Sequence, residues 1–303
     1  MTLTFLSEVN RGTIQIAAAA PEAFMSRGLF LPFLILSALA ALALPNAIRA
    51  QDGLAARLEL NQGVQAFKNA QYAKAVEHFQ AAVRLDPSFL NARLYLASAY
   101  MSQYIPGDET PENVRMALAA EDEFRKVLMW DPENQLAAES LGSLSLKQKK
   151  FDEAQKWYEK LIAINPQKKE AYYNLGVLAW TRTYKALAEA RAKLGMLPAD
   201  PGPLRDENLR KELAVTYTPI INYGFENLGK ALDLDPDYDD AMGYLSLLYR
   251  SKADLEDSLD ASQNDTRLAD QWMKKTLDAK KRKAQPRPSH LPPPPPPPPP
   301  PRQ

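Results

Sequence analysis

The sequence runs to 303 residues with 37 basic and 37 acidic side chains, two histidines and no cysteine. The missing thiols exclude disulfides, thiolate nucleophiles, Cys-ligated zinc and a lipid-bearing cysteine, and His78 and His290 leave little room for metal or imidazole chemistry. The overall neutrality conceals a division: residues 51–270 hold 26 basic against 34 acidic side chains, whereas 271–303 hold eight basic residues and one acid, Asp278. An acidic body is badly matched to phosphate backbones, which argues against nucleic acid as a partner.

The first feature along the chain is FLPFLILSALAALAL (30–44), an apolar run of signal-peptide length. Arg27 precedes it and Ala47-Ile48-Arg49-Ala50 follows, so that Met25, taken as a start, opens a complete leader over 25–50. The other reading is an uncleaved anchor. Against it, the run falls short of the roughly 20 residues that span a bilayer; in its favour, Ile48 is a poor cleavage-site residue. Under both, residues 1–50 are an address and the body is exported, periplasmic or secreted, or alternatively held at an inner membrane. A thiol-free body suits an oxidising compartment.

From residue 60 the chain repeats itself. Four segments share an ending: FQAAVRLDP to Pro87, FRKVLMWDP to Pro132, YEKLIAINP to Pro166 and LGKALDLDP to Pro236. Matching helix starts surround them, at 60–67, 91–100, 138–146, 172–180 and 240–249, each with large apolar residues at helical spacing around a small one: Gly63, Ala97, Gly142, Gly176 and Ser246. A small residue there lets two antiparallel helices approach closely. The polar turns NAQYAKA (69–75) and QKKFDEA (148–154) separate the helices of a pair, and the closing proline ends the second one.

Pro132 and Pro166 are 34 residues apart, the tetratricopeptide (TPR) period. With these residue types, the stretch from about 56 to 250 resembles the tetratricopeptide-repeat family, most specifically over 133–180, and the chain as a whole is similar to bacterial exported TPR proteins. The resemblance implies an all-α solenoid of about five helical hairpins, working as a non-catalytic scaffold that binds protein. Two spacings are stretched. Pro87 to Pro132 is 45 residues, attributed to the insert IPGDETPEN (105–113); Pro166 to Pro236 is 70. The second predicts one repeat with overlong helices, turning at PADPGP (198–203), restarting near Asp206, kinked or interrupted at Pro219, and protruding as a hairpin. After Tyr249 a further helix, a turn near Asn264 and a capping helix with Leu268, Trp272, Met273 and Leu277 complete a 51–284 solenoid.

Residues 285–303 are expected to be a disordered tail. Its ten prolines, Pro292–Pro301, favour polyproline II, about 31 Å long. Such a tail is an inert extension or spacer, or else a ligand for an aromatic-lined groove.

Candidate chemistry is sparse. DLDPDYDD (233–240) alternates carboxylates but has Tyr238 and Tyr244 where a calcium loop requires glycine and glutamate, so capping at the inter-repeat proline is the simpler reading. His78 has no second imidazole near it. KKRK (280–283) reads as a solvated helix end able to touch an anionic membrane or polymer surface, and the NDT triplet at Asn264 as chance. No pair of acids is marked as catalytic; neither an enzyme nor a cofactor nor a metal is expected, although a helical hydrolase would be the third class of reading, after a scaffold and a membrane-anchored assembly factor.

In TPR solenoids the outward face of each first helix usually meets the ligand. The corresponding residues are Asn61, Val64, Tyr95, Met101, Glu139, Tyr173, Asn174, Val177, Trp180, Tyr244 and Arg250. Asn61 and Asn174 match the asparagines of the family's carboxylate clamp, but its lysines and arginines have no counterparts. That leaves an aromatic and apolar groove for an extended or helical peptide, formed above all by Asn61, Val64, Tyr95, Met101, Tyr173, Asn174, Val177, Trp180 and Tyr244. The competing reading makes Tyr173, Asn174 and Trp180 stitches between adjacent repeats.

Overall fold

The computed structural model describes residues 51–197 and 200–284, and the helices form one compact unit beginning at Leu54. The leader reading of 1–50 and the tail reading of 285–303 lie outside the described residues. Among these residues there are ten helices and no strand. α1 covers 54–68 and pairs with α2 (Tyr72–Leu85); α3 (Leu90–Gln103) pairs with α4 (Pro111–Trp130), α5 (Gln135–Lys147) with α6 (Phe151–Ile164), α7 (Lys169–Lys193) with α8 (Glu207–Leu234), and α9 (Asp239–Ala253) with α10 (Leu259–Ala284). None of these helices is long and apolar enough to cross a membrane.

The repeat is visible in three local devices. The first is the small residue facing a large one. A Cβ on Gly142 would come within 2.7 Å of the Tyr158 ring, and one on Gly176 within 2.3 Å of Leu228. Phe79, Phe124, Tyr158 and Leu228, one on the second helix of each of the first four hairpins, are completely or almost completely buried, and their burial against the facing helices stabilises these pairs and their stacking. The second device is the turn between repeats. Asp86, Asp131, Asn165 and Asp235 each end a helix with φ between −131° and −143°. Each accepts the N–H three residues on, at 3.0–3.1 Å. The side chains of Asp86, Asn165 and Asp235 also accept the N–H two residues on, across the proline that cannot donate.

The third device is the turn within a hairpin, and it explains the stretched repeat. Ala70 (φ 55°) and Lys149 (φ 59°) adopt left-handed backbone, and the N–H after each reaches the carbonyl five residues back, Gln71 to Ala66 and Lys150 to Ser145, both at 2.9 Å. Gly195 (φ 64°) repeats this, with Met196 donating to Arg191 at 2.9 Å. α7 has 25 residues where α5 has 13. The turn has therefore moved 12 residues downstream, about 18 Å along the axis. α8 is lengthened to match, 28 residues against 14 in α6. One repeat with overlong helices is the observed arrangement.

The far end of that hairpin is tied down. Leu204 N–H donates to the Asp254 carbonyl at 3.0 Å. The Arg191 guanidinium donates to the Asp254 carboxylate and to the carbonyls of Leu197 (2.7 Å) and Asp200 (2.6 Å). Leu204, completely buried, shares a core with Leu187, Met196, Leu248 and Leu255. The connection thus lies against the ends of α9 and α10.

Three expectations are corrected. Pro219 does not interrupt α8: the helix continues through it, and the carbonyl deprived of a donor belongs to Val215, which is 80% exposed and can be hydrated. The 45-residue spacing is only partly insert, because α4 already starts at Pro111 and is six residues longer than α2 or α6. Proline suits a first helical position. Asn113, buried, clamps the short loop by accepting from Ile105 N–H (2.7 Å) and donating to the carbonyls of Ile105 (2.8 Å) and Asp108 (2.6 Å). There is no turn at Asn264: α9 ends at Ala253, Ser258 caps Ala261, and α10 runs unbroken through 264, where Asp265 is held by Lys252 at 2.6 Å. KKRK is an exposed helix end, as expected, and from there Lys280, Arg282 and Lys283 also reach acids of the 237–240 segment.

Candidate functional site

α7 begins one residue after Lys168 and carries Tyr173, Trp180 and Tyr184. Steps of seven and four residues return to nearly the same side of a helix, because seven residues make almost two turns. The three rings therefore form a stripe. α9 lies beside α7 and supplies Tyr244, while Tyr238 caps its start. Ring centroids are 5.1 Å apart for Tyr238–Tyr173, 5.6 Å for Tyr173–Tyr244, 5.6 Å for Tyr244–Trp180 and 4.8 Å for Trp180–Tyr184. The two contacts of Tyr244 are edge-to-face at 79° and 77°, the arrangement that ring quadrupoles favour. Five rings form one continuous row across two repeats, partly buried along most of its length and opening outward at Tyr184, which is 54% exposed.

The row is uncharged. Burial raises the phenol of Tyr173 well above its usual range, and the neighbouring Tyr244 and Asp240 add to this. Burial first, then Glu170 and Asp240, pushes Tyr238 up to about 12. Tyr244 is raised by burial and then by Asp240. All three remain neutral hydroxyls at physiological pH. At the Tyr238 end, the Lys169 ammonium sits 4.7 Å from the Tyr238 ring centre and donates to Asp235 at 2.5 Å. The pair holds the Asp235 carboxyl below and the Lys169 ammonium above their usual ranges.

At the other end the row opens into a cavity of about 430 Å³ whose walls include Trp180, Tyr184, Leu187, Met196, Leu247 and Arg250. Its floor is the tied end of the long hairpin, with Arg191 against Asp254. Burial raises the Asp254 carboxyl, and Arg191 opposes that shift. The walls are mostly apolar, and the charges beside them are already paired, Arg250 with Asp270 at 2.7 Å.

Of the residues singled out in the sequence, Tyr173, Trp180 and Tyr244 come together in this row. Asn174 and Val177 share α7 and are partly buried. Asn61 and Val64 on α1, and Tyr95 and Met101 on α3, belong to earlier repeats. Asn61 is exposed, whereas Val64 packs into the first hairpin's core and Met101 against the second's. Tyr95 stacks on Phe79 at 5.4 Å. Glu139 pairs with Lys168 at 3.2 Å. Tyr173 and Tyr244 join adjacent repeats through their ring contact.

Tyr184 and Tyr238 complete the row without being among the groove residues that the sequence marks. The spacing of Tyr184, four residues after Trp180 in a stretch read as helix, carried the signal. Tyr238 was hidden among the acids of 233–240. Those acids are engaged: Asp237 accepts from Arg282 at 2.6 Å, Asp239 pairs with Lys283, and Asp240 lies 3.7 Å from Lys280. His78 Nδ1 lies 2.8 Å from Glu59.

Tetratricopeptide-repeat family models match residues 60–128 and 142–181, the second span running from Gly142 through the first half of α7 to Thr181. These stretches of the chain are tetratricopeptide repeats. Among solved structures, the TPR solenoid resembles a crystal structure of MamA protein at 17% identity, covering 77% of this chain and 95% of that one with a TM-score of 0.50. MamA (41-end) from Desulfovibrio magneticus RS-1 matches at 18% identity, 76% and 97% coverage and a TM-score of 0.50. At such identities the likeness concerns the fold. No curated protein matched the sequence.

Proposed function

We propose that this TPR protein is a non-catalytic scaffold that holds an extended or helical segment of a partner protein along the aromatic row of α7 and α9. The observation that carries this is the row itself: five aromatic rings, each touching the next, spanning two repeats and ending in a mostly apolar cavity. Repeat architecture supports it, since stacked hairpins build a surface long enough for a peptide. Rings partly fixed by their neighbours lose little freedom on binding, and tyrosine and tryptophan dominate the energetics of such contacts. Phenol hydroxyls would hydrogen-bond the peptide backbone while the ring faces take its side chains. A longer ligand would run on past Asn174 and Val177 of α7 toward Tyr95 and Asn61 of the earlier repeats.

The apolar run at 30–44 supports export of the body, as a periplasmic or secreted protein with the run cleaved, or as an anchored one with the run retained. Crosslinking in bacteria expressing the full chain, followed by intact-mass measurement of each fraction, tests both parts. A soluble product starting near Gln51, whose crosslinked partners vanish on Trp180→Ala and Tyr173→Ala, is the expected result. A membrane-bound product with an intact N-terminus, and partners indifferent to both substitutions, would replace it with an anchored factor working through another surface.

A further inference from the structure

The cavity at the open end of the row owes its existence to the overlong hairpin. A helix of the 13 residues found in α5, begun at Lys169, would end at Thr181. Nine of the sixteen described residues that line the cavity lie beyond that point, between Tyr184 and Gly202. The extra length is folded back to make a wall. Arg191 holds the carbonyls of Leu197 and Asp200, and Leu204 N–H reaches the Asp254 carbonyl at 3.0 Å. Gly202 lets the connection close on α9, since a Cβ there would stand 2.9 Å from the Ala253 carbonyl oxygen. A repeat of ordinary length would lack that wall.

The chemistry of the walls selects an occupant. The charged side chains around the cavity are already engaged: Arg191 with Asp254, Arg250 with Asp270 at 2.7 Å, and Asp200 with the Leu197 N–H at 2.9 Å. A charged side chain entering would shed its water and find no free counter-ion, whereas an apolar one gains by leaving water. Trp180 and Tyr184 contribute aromatic rings and Met196 a thioether, groups that favour another ring over an aliphatic chain. Space allows it. A cavity of about 150 Å³ can take up a benzene molecule, and this one has about 430 Å³. Trp180 and Tyr184 belong to the row as well as to the cavity, so a side chain lodged here would hang from a segment lying on the rings. The three ring-to-ring steps from Trp180 to Tyr238 measure 5.1 to 5.6 Å each. At most about five extended residues cover them.

We propose that this pocket receives one bulky, uncharged side chain, an aromatic one before all others, from the partner segment on the row, and thereby sets which segments the protein accepts. The proposal rests on the groove reading above and adds its specificity. The long hairpin is then the part of the solenoid that chooses the ligand, and the anchor fixes the register of the residues that follow it along the rings.

The test uses the full chain carrying ¹³C-methyl methionine, with the Met196 signal assigned by Met196→Leu. N-acetyl-phenylalaninamide stands in for the anchor, and its alanine and glutamate analogues are the controls. The phenylalanine probe should move the Met196 signal saturably, the alanine probe should bind roughly 10-fold more weakly or worse, and the glutamate probe should do nothing. Ala188, partly buried in the wall, gives two variants that spare all five rings. Ala188→Trp fills the pocket and Ala188→Glu sets an unpaired charge in it; each should abolish the shift with circular dichroism unchanged. A Met196 signal blind to the phenylalanine probe, or moved equally by all three probes, overturns the proposal. Crosslinked partner then separates the pocket from the groove. Capture lost on Ala188→Trp, as on Tyr173→Ala, is the expected result. Capture lost on Tyr173→Ala but untouched by Ala188→Trp would sink the anchor and leave the groove function standing. Capture indifferent to both would sink the groove reading and the anchor with it.

Discussion

Arg191 and Asp254, 63 residues apart, form a nearly buried ion pair that fixes the far end of the longest hairpin to the end of α9. Arg191 also holds the carbonyls of Leu197 and Asp200, so one guanidinium closes the connection between α7 and α8. Removing one partner strands the other. Asp254→Ala is therefore expected to destabilise the protein by roughly 3 kcal/mol, whereas replacing both with apolar residues of similar size should cost much less. Urea denaturation of the two single variants and the double variant measures this. Hydrogen exchange should show the loss concentrated in 196–204.

Tyr158 occupies the space that a side chain on Gly142 would need. Gly142→Ala gains helix propensity of about 1 kcal/mol but pushes against a ring buried on all sides. Gly142→Val loses that gain and adds bulk, so it is expected to destabilise by about 2–3 kcal/mol. Tyr158→Ala should cost about 3–5 kcal/mol through the cavity it leaves. Thermal melts in which Gly142→Val proves harmless would contradict the close approach of α5 and α6.

Acid should loosen the junction between α7, the 235–240 segment and α10. Lys169 holds the Asp235 carboxyl, and Lys283 the Asp239 carboxyl, below the ordinary value of about 3.9. A depressed folded-state value means the unfolded chain binds protons first. The stabilisation is then fully present above pH of about 4 and fades as pH falls through the folded-state values. Lys169→Ala and Asp235→Asn should each flatten the acid limb of a stability–pH curve and leave the curve near pH 9 parallel to that of the parent.

Much of this structure was legible in the sequence because its causes are local. The LDP and INP endings specify their turns through one Asx side chain and one proline, and small residues at fixed spacing specify helix contacts. The overlong hairpin was legible because 181–194 holds no turn residue, and the observed turn came at the next glycine, Gly195. Long-range pairing was not. Arg191 with Asp254, and Lys283 with Asp239, become neighbours only after the hairpins stack, and no periodicity announces such pairs. The corrected turn at Asn264 has the same origin: polar residues there looked like a break, but Lys252 satisfies Asp265 inside a continuous helix. In the groove, spacing on α7 marked Tyr173 and Trp180, while Tyr238 joined through a loop whose position depends on α10.

Single-ring substitutions should separate binding from folding. Tyr184 is the most exposed ring of the row, so Tyr184→Ala should lower partner affinity about 10-fold or more with stability changed by less than about 0.5 kcal/mol. Tyr244→Ala should reduce both, because its edge-to-face contacts join α7 to α9. Affinity for a crosslink-identified partner segment, measured beside urea midpoints, resolves the two effects.

The central claim, that a partner lies on the row of α7 and α9, is tested most directly by a photo-crosslinking residue introduced singly at Tyr184, Val177, Tyr95 and Val215 of the full chain in living cells. The account predicts covalent products at Tyr184 and Val177, weaker or none at Val215 on the solvent side of α8, and their loss when Trp180→Ala is added. Equal products at Val215, or products at Tyr184 that survive Trp180→Ala unchanged, would contradict it.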